Sequence, residues 1–138
     1  MKLITMIRYA LDTNILIYNH LLDDVGKRSI AHELLTHNPV VSTQAVSEYL
    51  NVMKRLLPIS KAEILKLCAE WMQECKIKSV DGNTVRLAER LVSKYDFQIF
   101  DAIIIASALE AGCRTLYTED LQHNMVIERT LTVVYPFL

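Results

Sequence analysis

Residues 100–120 read FDAIIIASALEAGCRTLYTED, and this stretch decides the fold. Phe100 to Ala111 is apolar almost all round, the mark of a buried helix, and Gly112 is well placed to end it. Thr115 to Thr118 then reads as a strand, with Asp120 just beyond its end. An apolar helix feeding a short strand belongs to a sheet covered by helices.

Outward from this unit the same alternation recurs. Leu3 to Leu11 is a β-branched and aromatic-rich run stopped by Asp12, and its near-continuous hydrophobicity suits a strand buried on both faces. Thr13 to Leu21 and Lys27 to His37 suit helices, and Pro39 to Ser42 a short strand after the Asn38-Pro39 break. Ser42 or Thr43 caps a helix running to about Leu56; Pro58 separates it from one capped by Ser60 that carries Ile64, Leu65, Leu67, Cys68, Trp71 and Met72. An extended piece, Ile77 to Val80, precedes a helix from Gly82 or Asn83, with Val85, Ala88, Leu91, Val92 and Tyr95 at helical spacing. Thr132 to Tyr135 reads as the last strand. The expected architecture is α/β, a three-layer α/β/α sandwich with a mostly parallel central sheet.

With 138 residues, 51% of them hydrophobic, and only three glycines and three prolines, the chain matches one compact domain over residues 1–138. Fifteen basic against sixteen acidic side chains leave a net charge of -1, so any attraction to a polyanion must come from local clustering. Cys68, Cys75 and Cys113 are odd in number and lack CxxC spacing, which argues against a disulfide framework or a zinc site. Arg8 and Asp12 interrupt the N-terminal apolar run, so the expectation is a cytoplasmic protein without a membrane span.

In open α/β sheets ligands sit beyond the carboxyl ends of the strands, where Asp12 and Asp120 fall. Asp101 opens the apolar helix, where the helix dipole favours a carboxylate but apolar surroundings demand a partner for it. Glu48 lies at the edge of the apolar arc Ala45, Val46, Tyr49, Val52 and Met53, within reach of the sheet end. Four converging carboxylates would repel one another unless a hard cation, Mg2+ or Mn2+, compensated them. Such an ion lowers the pKa of water and neutralises a leaving oxygen, the tasks of phosphodiester hydrolysis. A lone Asp at any of these positions is usually a cap or turn residue, so the weight lies in the joint placement.

Leu11-Asp12-Thr13-Asn14-Ile15-Leu16, Ser47-Glu48, Phe100-Asp101-Ala102-Ile103-Ile104-Ile105-Ala106-Ser107-Ala108 and Leu116-Tyr117-Thr118-Glu119-Asp120 resemble PIN-domain ribonucleases. Among these the likeness is closest to VapC-type toxins of bacterial toxin-antitoxin pairs. The resemblance covers essentially the whole chain, with the acids in the family's order and Tyr135-Pro136-Phe137 resembling its C-terminal ending. It implies a PIN-like nuclease in which Asp12, Asp101 and Asp120 bind Mg2+ or Mn2+ while Glu48 completes the site and orients the attacking water. It also implies an RNA substrate cut to a 5′-phosphate and a 3′-hydroxyl, a cognate antitoxin protein, and a homodimer. Thr13, Asn14 and Thr118 match polar positions that orient the family's acids, though turn and cap bonding would equally explain them.

Glu119 beside Asp120 points to the opposite face of an extended chain, and the resemblance favours Asp120 as the ligand. Asn124 stands where relatives often have Gly, a change Asn tolerates because it adopts the left-handed conformation. Tyr135 stands where relatives often have Asn, and Met6-Ile7-Arg8-Tyr9 resembles their usual start, making Met1 to Thr5 an extension. Two rival roles share these residues: a housekeeping RNA-processing nuclease without an antitoxin, and a non-catalytic RNA-binding domain. An aspartyl-phosphate phosphatase would need Asp-x-Asp where Asp12-Thr13-Asn14 stands, and a response regulator a late lysine absent from Thr115 to Asp120.

Arg86, Arg90 and Lys94 form an i, i+4, i+8 stripe, with Lys27-Arg28 and Lys54-Arg55 as further basic pairs; each reads as a phosphate contact or, more simply, a solvated face. His20, His32, His37 and His123 lack metal-ligand spacing and suit surface or capping roles. Met53, Leu56, Leu57 and the Leu65 to Met72 stripe suit the core, a groove for an antitoxin helix or a dimer surface.

Overall fold

The computed structural model describes residues 7–21 and 23–138. The N-terminal part of the expected first strand and the reading of Met1 to Thr5 as an extension lie outside these residues. Elements follow in the order β1 (Tyr9–Leu11), α1 (Thr13–Tyr18), α2 (Val25–Leu35), β2 (Val40–Ser42), α3 (Thr43–Leu56) and α4 (Lys61–Met72). They continue as β3 (Lys76–Lys78), α5 (Gly82–Tyr95), α6 (Ile99–Glu110), β4 (Thr115–Tyr117), β5 (Val126–Ile127) and β6 (Leu131–Val134).

The strands form one sheet in the order β3-β2-β1-β4-β6-β5, parallel throughout except for β5, which runs antiparallel to β6. Helices flank this sheet as the α/β/α reading expects, with α5 packed on α6 and α1 contacting α2 and α3. All three residues of β1 are buried, which fits a strand covered on both faces. β5 was not expected: two residues, Val126 and Ile127, are too few to show a period, and the left-handed Asn124, Glu128 and Arg129 bracket them.

Local chemistry sets the helix starts. The Ser42 hydroxyl accepts from Ala45 N at 3.0 Å, Ser60 from Glu63 N at 3.2 Å, and Asp24 from Lys27 N at 3.0 Å. A reciprocal box opens α5: Thr84 N donates to Asp81 at 3.1 Å and Asp81 N to the Thr84 hydroxyl at 3.2 Å. Burial of Met53, Ile64, Cys68 and Trp71 assigns most of the apolar surplus on α3 and α4 to the core, leaving Leu56 and Leu65 exposed. His20 is part of this interior rather than a surface residue: its ring lies 5.6 Å from that of the buried Tyr49, and burial lowers its pKa.

α6 carries Ala102, Ile104, Ile105, Ala106, Ser107 and Ala108 into the interior, whereas its first turn leaves Ile99 and Phe100 exposed. At its other end Gly112 N donates to Leu109 O and Cys113 N to Ala108 O, both at 3.0 Å, the paired bonds of a Schellman ending. Gly112 has φ +74°, and a Cβ there would meet no atom within 4 Å, so the requirement for glycine is one of backbone conformation alone. Gly112→Ala is expected to lower unfolding stability by about 1 kcal/mol in a urea titration, while Gly112→Asn loses less.

Candidate metal centre

Parallel pairing sets Leu11 opposite Tyr117, and the ladder runs on: Asp12 N donates to Tyr117 O at 3.0 Å. Asp12 and Thr118 therefore leave the sheet side by side at the carboxyl ends of adjacent strands. The Thr118 hydroxyl donates to Asp12 Oδ2 at 2.7 Å, and Thr13 N to Asp12 Oδ1 at 2.7 Å, so Asp12 also caps α1. Thr118 Oγ1 accepts in turn from Asp120 N at 3.1 Å. One buried hydroxyl thus fixes a side chain of one strand end and the backbone of the other.

Asn14 lies on the first turn of α1 and donates its amide to Asp120 Oδ2 at 3.1 Å and, at 3.4 Å, to Thr118 Oγ1. Asp101 enters from the first turn of α6. Asp12, Asp101 and Asp120 each offer a carboxylate oxygen, and these three oxygens lie within 4.8 Å of one another. Asp12 is only 5% exposed, Asp101 is half-buried and Asp120 is exposed, so the group forms a funnel closed at Asp12 and open at Asp120.

Glu48 stands outside this tight trio. It is half-buried on α3, and Gln44, one turn earlier, donates to its Oε2 at 3.1 Å. Its carboxyl still feels the trio: burial raises its pKa first, Gln44 opposes this, and the charges of Asp101 and Asp120 raise it further. Gln44 was missed from sequence, although its i, i+4 relation to Glu48 carried the signal.

The electrostatics match an unmet demand for positive charge. Burial pushes Asp12 up to about 6, against the opposing bonds from Thr118 and Thr13, with Asp120 and Asp101 adding repulsion. Burial and then the charge of Asp120 raise Asp101 as well. Thr13 Oγ1 and Asn14 Oδ1 are buried beside these acids with no hydrogen-bond partner among the described residues. Hard carboxylate oxygens at this spacing, with spare acceptor atoms behind them, fit a hydrated divalent ion of the Mg2+ or Mn2+ kind.

None of the described basic residues makes an ion pair with the trio. The expected stripe on α5 is exposed, with Arg86 bonded to Asn83 at 2.8 Å and Lys94 paired to Glu128 at 2.8 Å.

A carboxyl whose folded pKa exceeds its unfolded value favours the folded state most at low pH, where both states are protonated. That contribution is lost as pH rises from about 4 through about 6. Without divalent ions, Asp12→Asn should thus gain on the native chain by up to about 3 kcal/mol between pH 4 and pH 7 in paired urea titrations. A difference independent of pH would show that Asp12 carries no such penalty.

The PIN domain family model matches residues 9–126. No curated protein matches the chain in sequence. Among solved structures it is similar to a toxin-antitoxin complex from Klebsiella pneumoniae, at 21% identity and TM-score 0.67, over 94% of this chain and 97% of that one. FitAcB from Neisseria gonorrhoeae aligns at 17% identity and TM-score 0.69, over 94% and 98% respectively. VapC20 of Mycobacterium tuberculosis, described as a sarcin-ricin loop cleaving toxin, aligns at 15% identity and TM-score 0.65, over 81% and 91%. At these identities the likeness is one of fold, while the family match spans the strands and helices that bring the acids together. The chain belongs to the PIN domain family.

Proposed function

We propose that this chain is a Mg2+- or Mn2+-dependent endoribonuclease, the toxin of a toxin-antitoxin pair, with Asp12, Asp101 and Asp120 as metal ligands. The observation that carries the reading is the convergence of three carboxylate oxygens within 4.8 Å at the carboxyl edge of the sheet, one of them buried with its pKa pushed up to about 6. Family membership and fold likeness to structures described as toxin-antitoxin complexes support the biological role.

A divalent ion bound there supplies Lewis acidity, lowering the pKa of water and offsetting charge on the leaving oxygen. The protein's own part is positional. Thr118 and Thr13 N hold both oxygens of Asp12, and Asn14 holds Asp120, so the ligand set is oriented before substrate arrives. Glu48, with its raised pKa, accepts a hydrogen bond from the attacking water and takes its proton as the water oxygen bonds to phosphorus. The bond from phosphorus to the 3′ oxygen breaks, that oxygen takes a proton from solvent, and the products are a 3′-hydroxyl and a 5′-phosphate.

The wider reading follows the same line: a cognate antitoxin that covers the acidic funnel, a homodimer, and a cytoplasmic location. No helix among the described residues is long and apolar enough to cross a membrane.

Purified protein should cut single-stranded RNA with Mn2+ or Mg2+ and stop on chelation. Asp12→Asn or Asp101→Asn should abolish both cleavage and growth inhibition, and Glu48→Gln should slow cleavage by about 100-fold or more. Cleavage by Asp12→Asn protein at the native rate, or full activity after chelation, would overturn the proposal. Calorimetry showing no Mn2+ binding by the native chain would favour a non-catalytic RNA-binding role instead.

A further inference from the structure

Glu119 is one residue from Asp120, yet its carboxylate is held away from the trio. The Tyr18 hydroxyl donates to Glu119 Oε1 at 2.9 Å, and Lys27 Nζ lies 3.5 Å from Glu119 Oε2. Lys27 Nζ also donates to the Tyr18 hydroxyl at 3.3 Å, closing a three-membered ring of contacts. The ammonium is 4.8 Å from the Tyr18 ring centroid and 5.3 Å from that of Phe137, and these two rings meet edge to face at 5.1 Å. Only 29% of the Lys27 side chain and 24% of the Glu119 side chain are exposed.

We infer that Lys27 and Tyr18 are positioning residues of the metal centre, which confine the Glu119 carboxylate and so reserve the open side of the cation site for Asp120. This rests on reading Asp12, Asp101 and Asp120 as the metal ligands. Glu119 and Asp120 are competitors for the same cation. Asp120 is exposed, and among the described residues its carboxylate has only the Asn14 amide as a hydrogen-bond donor. Such a lightly held ligand is easily displaced by a free carboxylate one residue away. Glu119 and Asp120 lie in a bend just beyond β4, and a glutamate there is long enough to turn toward the cation site when nothing holds it. A cation bound beside Asp120 would attract a released Glu119, because divalent ions draw carboxylates strongly. Lys27 and Tyr18 remove that competitor by giving Glu119 a better partner on its own side. They also tie the starts of α2 and the end of α1 to the end of β4, so the clamp and the site share one backbone corner.

The test combines calorimetric Mn2+ titration with cleavage rates at saturating Mn2+ for the native chain, Lys27→Met, Tyr18→Phe, Glu119→Gln, and Lys27→Met combined with Glu119→Gln. Lys27→Met should bind Mn2+ more tightly, through the extra carboxylate, yet cleave about tenfold more slowly. Tyr18→Phe, which leaves net charge and ring packing unchanged, should shift both quantities the same way by less. Glu119→Gln alone should cleave nearly as the native chain does, and in the Lys27→Met background it should restore both affinity and rate to within about threefold of native. A loss of activity in Lys27→Met that Glu119→Gln fails to rescue would overturn the inference, because a phosphate-binding or merely structural lysine predicts that result. Native affinity and rate in both Lys27→Met and Tyr18→Phe would overturn it as well. Absence of Mn2+ binding by the native chain is a separate outcome, which refutes the metal reading and removes this inference with it.

Discussion

Two parallel strands of three residues each determine where the acidic group lies. Because β1 and β4 pair with Leu11 opposite Tyr117, Asp12 and Thr118 emerge together, and the 2.7 Å bond between them joins positions 106 residues apart. A slip of one residue in this register would turn Asp12 to the other face of the sheet and separate it from Thr118. The register is itself secured by burial: every residue of β1 packs into the interior, and Leu116 at the centre of β4 is fully buried. Hydrophobic packing on both faces of the sheet is thus what positions a hydrophilic site at its edge.

That site opposes folding. Asp12 is buried among like charges and held by two donors that only partly offset the loss of solvent, so its proton affinity rises. Asp101 and Glu48 bend the same way, for the same leading reason of burial. A fold that holds these acids near one another retains a conflict that a bound cation would relieve, and perturbed acids gathered in one place make a candidate functional site. The surrounding contacts are consistent with this division. Thr118, Thr13 and Asn14 orient the acids without neutralising them, whereas Glu119, next to Asp120 in the chain, is paired with a lysine.

Much of this was legible in the sequence because it is local. Ser42 and Ser60 as caps, Gly112 as the end of the buried helix, and the left-handed Asn124 each follow from the conformational preferences of one residue. The order of the acids and their places at strand and helix ends was legible too. Distance was not: nothing in a linear pattern separates the tight trio from Glu48, whose offset depends on how α3 leans on the sheet. β5 escaped because two residues carry no period, and the exposed Ile99 and Phe100 because an apolar helix does not reveal which turn protrudes from the core. The contact of Lys27 with Glu119 spans 92 positions and leaves no trace in either neighbourhood.

The central claim is that folding assembles a cation site from Asp12, Asp101 and Asp120. Anomalous diffraction from crystals equilibrated with Mn2+ tests it without recourse to activity. The account predicts a peak about 2 Å from a carboxylate oxygen of at least two of these residues, and none in crystals of the Asp12→Asn protein. An empty funnel in the native crystal, or Mn2+ held elsewhere on the surface while these three carboxylates stay free, would contradict it.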